Sequence, residues 1–203
     1  MTREEWVVKN ISDYLEMDLV SFLNGTDAIV YGGAVRDSLA FLPIQDVDIA
    51  LLPESLSVLE RKLTSFDWKA VPKYTELSEL LGRYSELLGG YEEVKIIFKC
   101  KMWTKNERII QLICPDTVGV LRGNLKFYDD YYLKVKQFVG QVDFSNCGVC
   151  YDNKTGLNET IKGAFADIKY KTFRALERNS MYEQYRSGKR KNKFIERGWK
   201  FLK

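Results

Sequence analysis

Asp46 and Asp48 are two acids one residue apart, downstream of Tyr31-Gly-Gly-Ala-Val-Arg36 and just past a proline at position 43. In an extended chain, successive side chains point to opposite faces, so both carboxylates share one face while Val47 and Ile49 take the other. Paired carboxylates on one edge of a sheet repel unless cations lie between them. Magnesium suits such a pair, because it takes one or two carboxylates together with substrate phosphates. Two such ions can align an attacking hydroxyl and steady a pyrophosphate leaving group. Upstream, Gly32-Gly33 lets the backbone come close to a phosphate, and the helix that follows opens with free N–H groups. Arg36, on that helix's first turn, is placed to reach a triphosphate. The chain has no histidine, which excludes histidine-dependent triads and general bases.

The elements that must position these groups follow from the apolar spacing. Thr2 to Glu5 has capping-box spacing and opens an amphipathic helix through Trp6, Ile11, Tyr14, Leu15 and Leu19, ending near Asn24-Gly25. Residues 27–31 form a short buried strand, and residues 34–42 a short helix stopped at Pro43. Residues 47–52 form a second strand, followed by a helix over 55–67. A further helix is expected over 74–92 despite three glycines. Residues 94–101 and 108–114 read as a hairpin turning at Thr104-Lys-Asn106. A tyrosine-rich helix over 125–139, a strand over 149–151, a turn over 153–156 and helices from about Ala164 complete the reading. The pattern is α/β (α+β), with a modest mixed sheet flanked by helices and a helical C-terminal extension.

Composition is that of an ordinary globular protein, 45% hydrophobic and 29% charged. No apolar run approaches the roughly 20 residues a bilayer demands, so no membrane partner is expected. The acidic start does not read as a signal peptide, and a cytoplasmic location is the expectation. Cys147 and Cys150 form a lone C-x-x-C, read as apolar thiols on strands rather than half of a zinc site. Charge is uneven: residues 181–203 hold eight Lys/Arg against two Glu, a net +6 against −3 for the rest. Arg186, Lys189, Arg190, Lys191 and Lys193 form the dense part of that run, suited to a phosphate backbone or to a solvated helix face. Tyr128, Tyr131 and Tyr132 suit either base stacking or core packing.

The run Gly32-Gly-Ala-Val-Arg-Asp37, then eight residues, then Asp46-x-Asp48, resembles the head domain of class II tRNA nucleotidyltransferases and bacterial poly(A) polymerases, within the DNA polymerase beta superfamily. A second block, residues 143–152, is similar to that family's RRDFTINALAYD stretch. Asn153-Lys-Thr-Gly156, Gly163 and residues 166–174 continue the likeness through its PKTG and ADLxxGxLR elements. Together the blocks cover roughly residues 27–52 and 143–174.

The resemblance implies a nucleotidyltransferase fold over residues 1–175, with 176–203 as a basic helical extension. It implies magnesium-dependent transfer of a nucleoside monophosphate from a triphosphate such as ATP to a hydroxyl, most naturally a tRNA-like RNA 3′ end. By matched position, Asp46 and Asp48 are the catalytic and metal-holding acids. Gly32, Gly33, Arg36 and Asp143 are nucleotide-binding, and Asp37 is a structural carboxylate at the helix start. Under this reading the charge of the basic run, and not a matched motif, would let it grip the RNA. The sequence also departs from the pattern. Gln141 and Val142 replace the arginine pair before Asp143, Cys147 replaces an asparagine, and Phe41-Leu42 replace a glycine-arginine. The strand 108–113 offers Gln111 where a third acid is expected, and the EDxxR element is absent. Two rival readings follow from these departures: a nucleotidyltransferase acting on a protein or small molecule, and a nucleotide- or RNA-binding relative that has lost turnover.

Overall fold

The computed structural model describes residues 1–71, 97–117, 142–176 and 181–202, together with Val135, Val139 and Gly140. Helix α1 (Arg3–Leu15) begins with the expected capping box, in which Thr2 and Glu5 exchange side-chain and backbone hydrogen bonds. It stops earlier than the spacing predicts. Glu16 adopts a left-handed conformation at φ 56°, and its carboxylate pairs with Lys105 and Arg108. A separate short helix, α2 (Leu19–Leu23), then starts from Asp18, whose side chain accepts from Ser21 N. Apolar spacing alone runs the two helices together, because the residues that hold the break lie about ninety positions away.

Strand β1 (Ile29–Tyr31) leads into helix α3 (Gly33–Leu39), and strand β2 (Val47–Ala50) into helix α4 (Pro53–Ser65). Strands β3 (Lys69–Ala70), β4 (Ile97–Lys105) and β5 (Arg108–Thr117) follow. The β4–β5 hairpin turns at Asn106-Glu107, both at positive φ, the geometry that matches strand twist. Strands β6 (Val149–Asp152) and β7 (Gly156–Glu159) form a second hairpin. The sheet is seven-stranded and mixed, in the order β3-β4-β5-β2-β1-β6-β7, with β2 and β5 the parallel pair. The helices expected over 74–92 and most of 125–139, with Tyr128, Tyr131 and Tyr132, lie outside the described residues.

The sheet's two faces carry different cores. On one, Val47 and Ile49 pack with Ile110 and Leu112 against Val7, Ile11 and Leu15 of α1, Val35 of α3, and Leu59 and Leu63 of α4. On the other, Ile29, Ala50 and Cys150 meet Val135 and Val139. Fully burying one aliphatic side chain contributes about 1.5–3 kcal/mol, so alternation along β2 fixes which way its aspartates point.

The C-terminal region corrects the all-helical expectation. Helix α5 (Ala164–Lys169) is followed by strand β8 (Thr172–Arg174), helix α6 (Met181–Glu196) and strand β9 (Lys200–Leu202), and β8 and β9 pair in parallel. The expected boundary at 175/176 falls between β8 and α6. Across it, Phe194 and Trp199 join the same core as Phe144 and Phe173. No helix among the described residues is long and apolar enough to cross a membrane.

Candidate active site

Gly32 sits at φ 68° and ψ −122°, a conformation open to glycine and strained for other residues. Its N–H donates to Val149 O at 3.0 Å, which ties the turn after β1 to β6. Gly33 is adjacent and plays a different part. A methyl group placed there would lie 3.7 Å from Arg36 Nη2 and 3.8 Å from Asp46 Oδ1. One point at the hinge is therefore flanked by a guanidinium and a carboxylate.

Asp46 immediately precedes β2, and Asp48 lies within it; both are half-buried, whereas Val47 and Ile49 are fully buried. In register, Asp48 stands between Tyr31 of β1 and Gln111 of β5. Gln111 Oε1 in turn accepts from Cys100 Sγ at 3.6 Å. Burial, with the Asp48 charge nearby, pushes the Cys100 thiol up to about 11. Tyr14 secures the approach to the acids. Its hydroxyl donates to Gln45 O at 2.8 Å and accepts from Ile109 N at 2.8 Å, bridging the chain at the mouth of the parallel β2–β5 pair. Burial raises the Tyr14 hydroxyl's pKa, and the Asp46 charge adds to that. In the sequence Tyr14 reads only as part of an apolar stripe; its role as a clamp comes from the β2–β5 pairing.

Arg36 is 6% exposed. Nε donates to Asp37 Oδ1 at 2.7 Å, and Nη1 donates to Cys147 Sγ at 3.1 Å. Its guanidinium lies 4.7 Å from the Phe194 ring centroid and 5.8 Å from that of Trp199. Asp37, 2% exposed, takes a second arginine through Oδ2, from Arg197 Nη2 at 3.0 Å. Cys147 thus fills a polar position beside Arg36. Sequence reasoning missed Phe194, Arg197 and Trp199; two large aromatics inside a basic run were the available signal.

Asp143 is brought to a basic-run residue. Arg190 Nη1 donates to Asp143 Oδ2 at 2.5 Å. Lys191 Nζ lies 3.7 Å from the Phe201 ring centroid, while Lys189 and Lys193 are exposed on α6; for Arg186 the helix backbone alone is described. The structure therefore gathers Gly33, Arg36 and Asp46 at one hinge, places Asp48 next along the strand, and pairs Asp143 with Arg190.

Asp46, just before β2, and Asp48, within it, are half-buried carboxylates, the donor type a hard divalent cation takes. Among the described residues no third acid or thiol converges to complete a protein-only cage.

No protein-family profile matches the chain, and no curated protein matches it. Solved structures do. A CCA-adding enzyme in complex with ATP superposes at a TM-score of 0.58 with 17% identity, over 96% of this chain and 39% of that one. A complex of CCA-adding enzyme with CTP gives 0.57 at 14% identity, over 98% and 43%. The Thermotoga maritima CCA-adding enzyme complexed with tRNA gives 0.52 at 17%, over 87% and 35%. This chain spans about two-fifths of the length of the structures it resembles, and what the likeness establishes is the fold: a mixed α/β sheet flanked by helices, shared with part of these CCA-adding enzymes.

Proposed function

We propose that this chain transfers a nucleoside monophosphate from a nucleoside triphosphate to an acceptor hydroxyl, at the 3′ end of an RNA, with release of pyrophosphate. The observation that carries the reading is the meeting of Gly33, Arg36 Nη2 and Asp46 Oδ1 at one hinge, within a fold shared with enzymes solved with ATP and CTP.

Asp46 and Asp48 would hold magnesium. Bound there, it would supply the positive charge that favours an ionised acceptor hydroxyl and a departing pyrophosphate. The protein's own part is placement. The Gly32 turn brings backbone close to the phosphates without a side chain in the way. Arg36, already committed through Nε and Nη1, presents Nη2 toward the hinge. The Tyr14 clamp fixes Gln45 and hence the direction in which the chain passes through Asp46 into β2. The exposed Lys189 and Lys193 on α6 offer the RNA backbone positive charge.

Incubation with α-labelled ATP or CTP, magnesium and mixed RNA tests the proposal. Label appearing in RNase-sensitive material, and lost with Asp46→Ala, supports it. Label resistant to RNase but sensitive to protease shifts the acceptor to protein. A second reading, nucleotide binding without turnover, is favoured by Gln111 standing beside Asp48 where an acid would complete the site. It predicts magnesium-dependent triphosphate binding with no label transferred to any acceptor.

A further inference from the structure

Arg36 is an unusual group to find in a nearly closed interior, and what closes over it comes from the far end of the chain. Two aromatic rings and a shared carboxylate complete an enclosure that the Cys147 thiol begins. Phe194 presents its ring face 4.7 Å from the guanidinium carbon, and Trp199 lies 5.8 Å away. Arg197 acts at one remove: it donates to Asp37 Oδ2 at 3.0 Å, and Arg36 Nε donates to Asp37 Oδ1 at 2.7 Å. Asp37 is therefore shared between two arginines, one in α3 and one just past α6. An arginine on a flexible stem has several rotamers, and fixing one costs conformational entropy. Here that ordering is already complete before any ligand arrives, which is the condition for a guanidinium to bind phosphate without reorganising.

We infer that Arg197, with Phe194 and Trp199, positions Arg36 for the triphosphate, so that the C-terminal segment is a built-in part of the nucleotide site as well as a surface for RNA. The inference rests on the proposed triphosphate site at the Gly33–Asp46 hinge. Loss of Arg197 frees one oxygen of Asp37, which can then draw Arg36 away from the hinge, and the cost falls on the outer phosphates. Nucleoside monophosphate, which lacks them, is spared. The basic charge of α6 has no part in this effect, because Arg197 acts through a buried carboxylate.

The test uses the full chain with magnesium and compares binding of ATP and AMP by titration calorimetry in wild type, Arg36→Lys, Arg197→Gln, Arg197→Lys and the Arg36→Lys/Arg197→Gln pair. The expected result is about a tenfold loss of ATP affinity in Arg197→Gln, the size of one charge-assisted hydrogen bond, with AMP affinity unchanged. Arg36→Lys should lose ATP affinity similarly, and the double variant should lose little more than either single one. A ligand-free readout runs in parallel: the Arg36 Nε–H NMR signal, protected in wild type, should exchange rapidly in Arg197→Gln and stay protected in Arg197→Lys. Equal losses for ATP and AMP, or additive losses in the double variant, overturn the positioning role while leaving the hinge as a triphosphate site. A wild-type protein that does not prefer ATP to AMP overturns both.

Discussion

Arg190 reaches from α6 to Asp143, Nη1 to Oδ2 at 2.5 Å, so a residue assigned by sequence to RNA and one assigned to the nucleotide bind each other. Asp143 is 8% exposed on its side chain and Arg190 47%. Removing Arg190 weakens the compensation of a carboxylate with little access to water, a loss moderated by solvent reaching the arginine. Arg190→Ala should destabilise the protein by about 1–2 kcal/mol, and Asp143→Asn in that background should recover part of the loss, as measured by urea unfolding. Lys193→Ala, on the same helix but exposed, should leave stability unchanged and reduce the salt dependence of the proposed RNA binding.

Phe41 is strained. It sits at φ 56° with 76% of its surface exposed, its ring 5.3 Å from that of Trp6. A left-handed conformation costs a bulky residue about 1–2 kcal/mol, and little burial offsets that here. Phe41→Gly should raise stability by about 0.5–1 kcal/mol after the extra entropy of glycine in the unfolded chain is subtracted. A lower midpoint in urea would mean that the Trp6 contact outweighs the strain.

Asp18 caps α2, and hydrogen bonds from the Ser21 hydroxyl and N–H hold its carboxyl below the ordinary value of 3.8. A depressed folded pKa means the stabilisation is present above the ordinary value and is lost as pH falls through the folded one. Asp18→Ala should cost about 1 kcal/mol at neutral pH. Urea unfolding of both proteins should show that gap closing in strong acid, and a gap independent of pH would contradict the cap assignment.

Sequence made the centre of the molecule legible because local rules decide it. The capping box at Thr2 and Glu5, the glycine turn before α3 and the alternation of Asp46, Val47, Asp48 and Ile49 each have a short-range signature, and each appears in the structure. The misses have long-range causes. The break after Leu15 depends on Lys105 and Arg108 meeting Glu16. Strands β8 and β9, three residues each, exist because α6 returns the chain to lie beside Thr172–Arg174. The basic run hid two core aromatics, Phe194 and Trp199, because its charge dominates any average taken along it. The enclosure of Arg36 could not be read from α3, since half of it arrives some 160 residues later.

The central proposal is that Asp46, beside the Gly33 hinge, and Asp48 hold a divalent cation together with a triphosphate. Manganese can replace magnesium as a paramagnetic reporter, with its binding followed by electron spin resonance with and without ATP. The account predicts weak manganese binding alone, much tighter binding with ATP, and loss of that enhancement in both Asp46→Asn and Asp48→Asn. Enhancement that survives in either variant would contradict it.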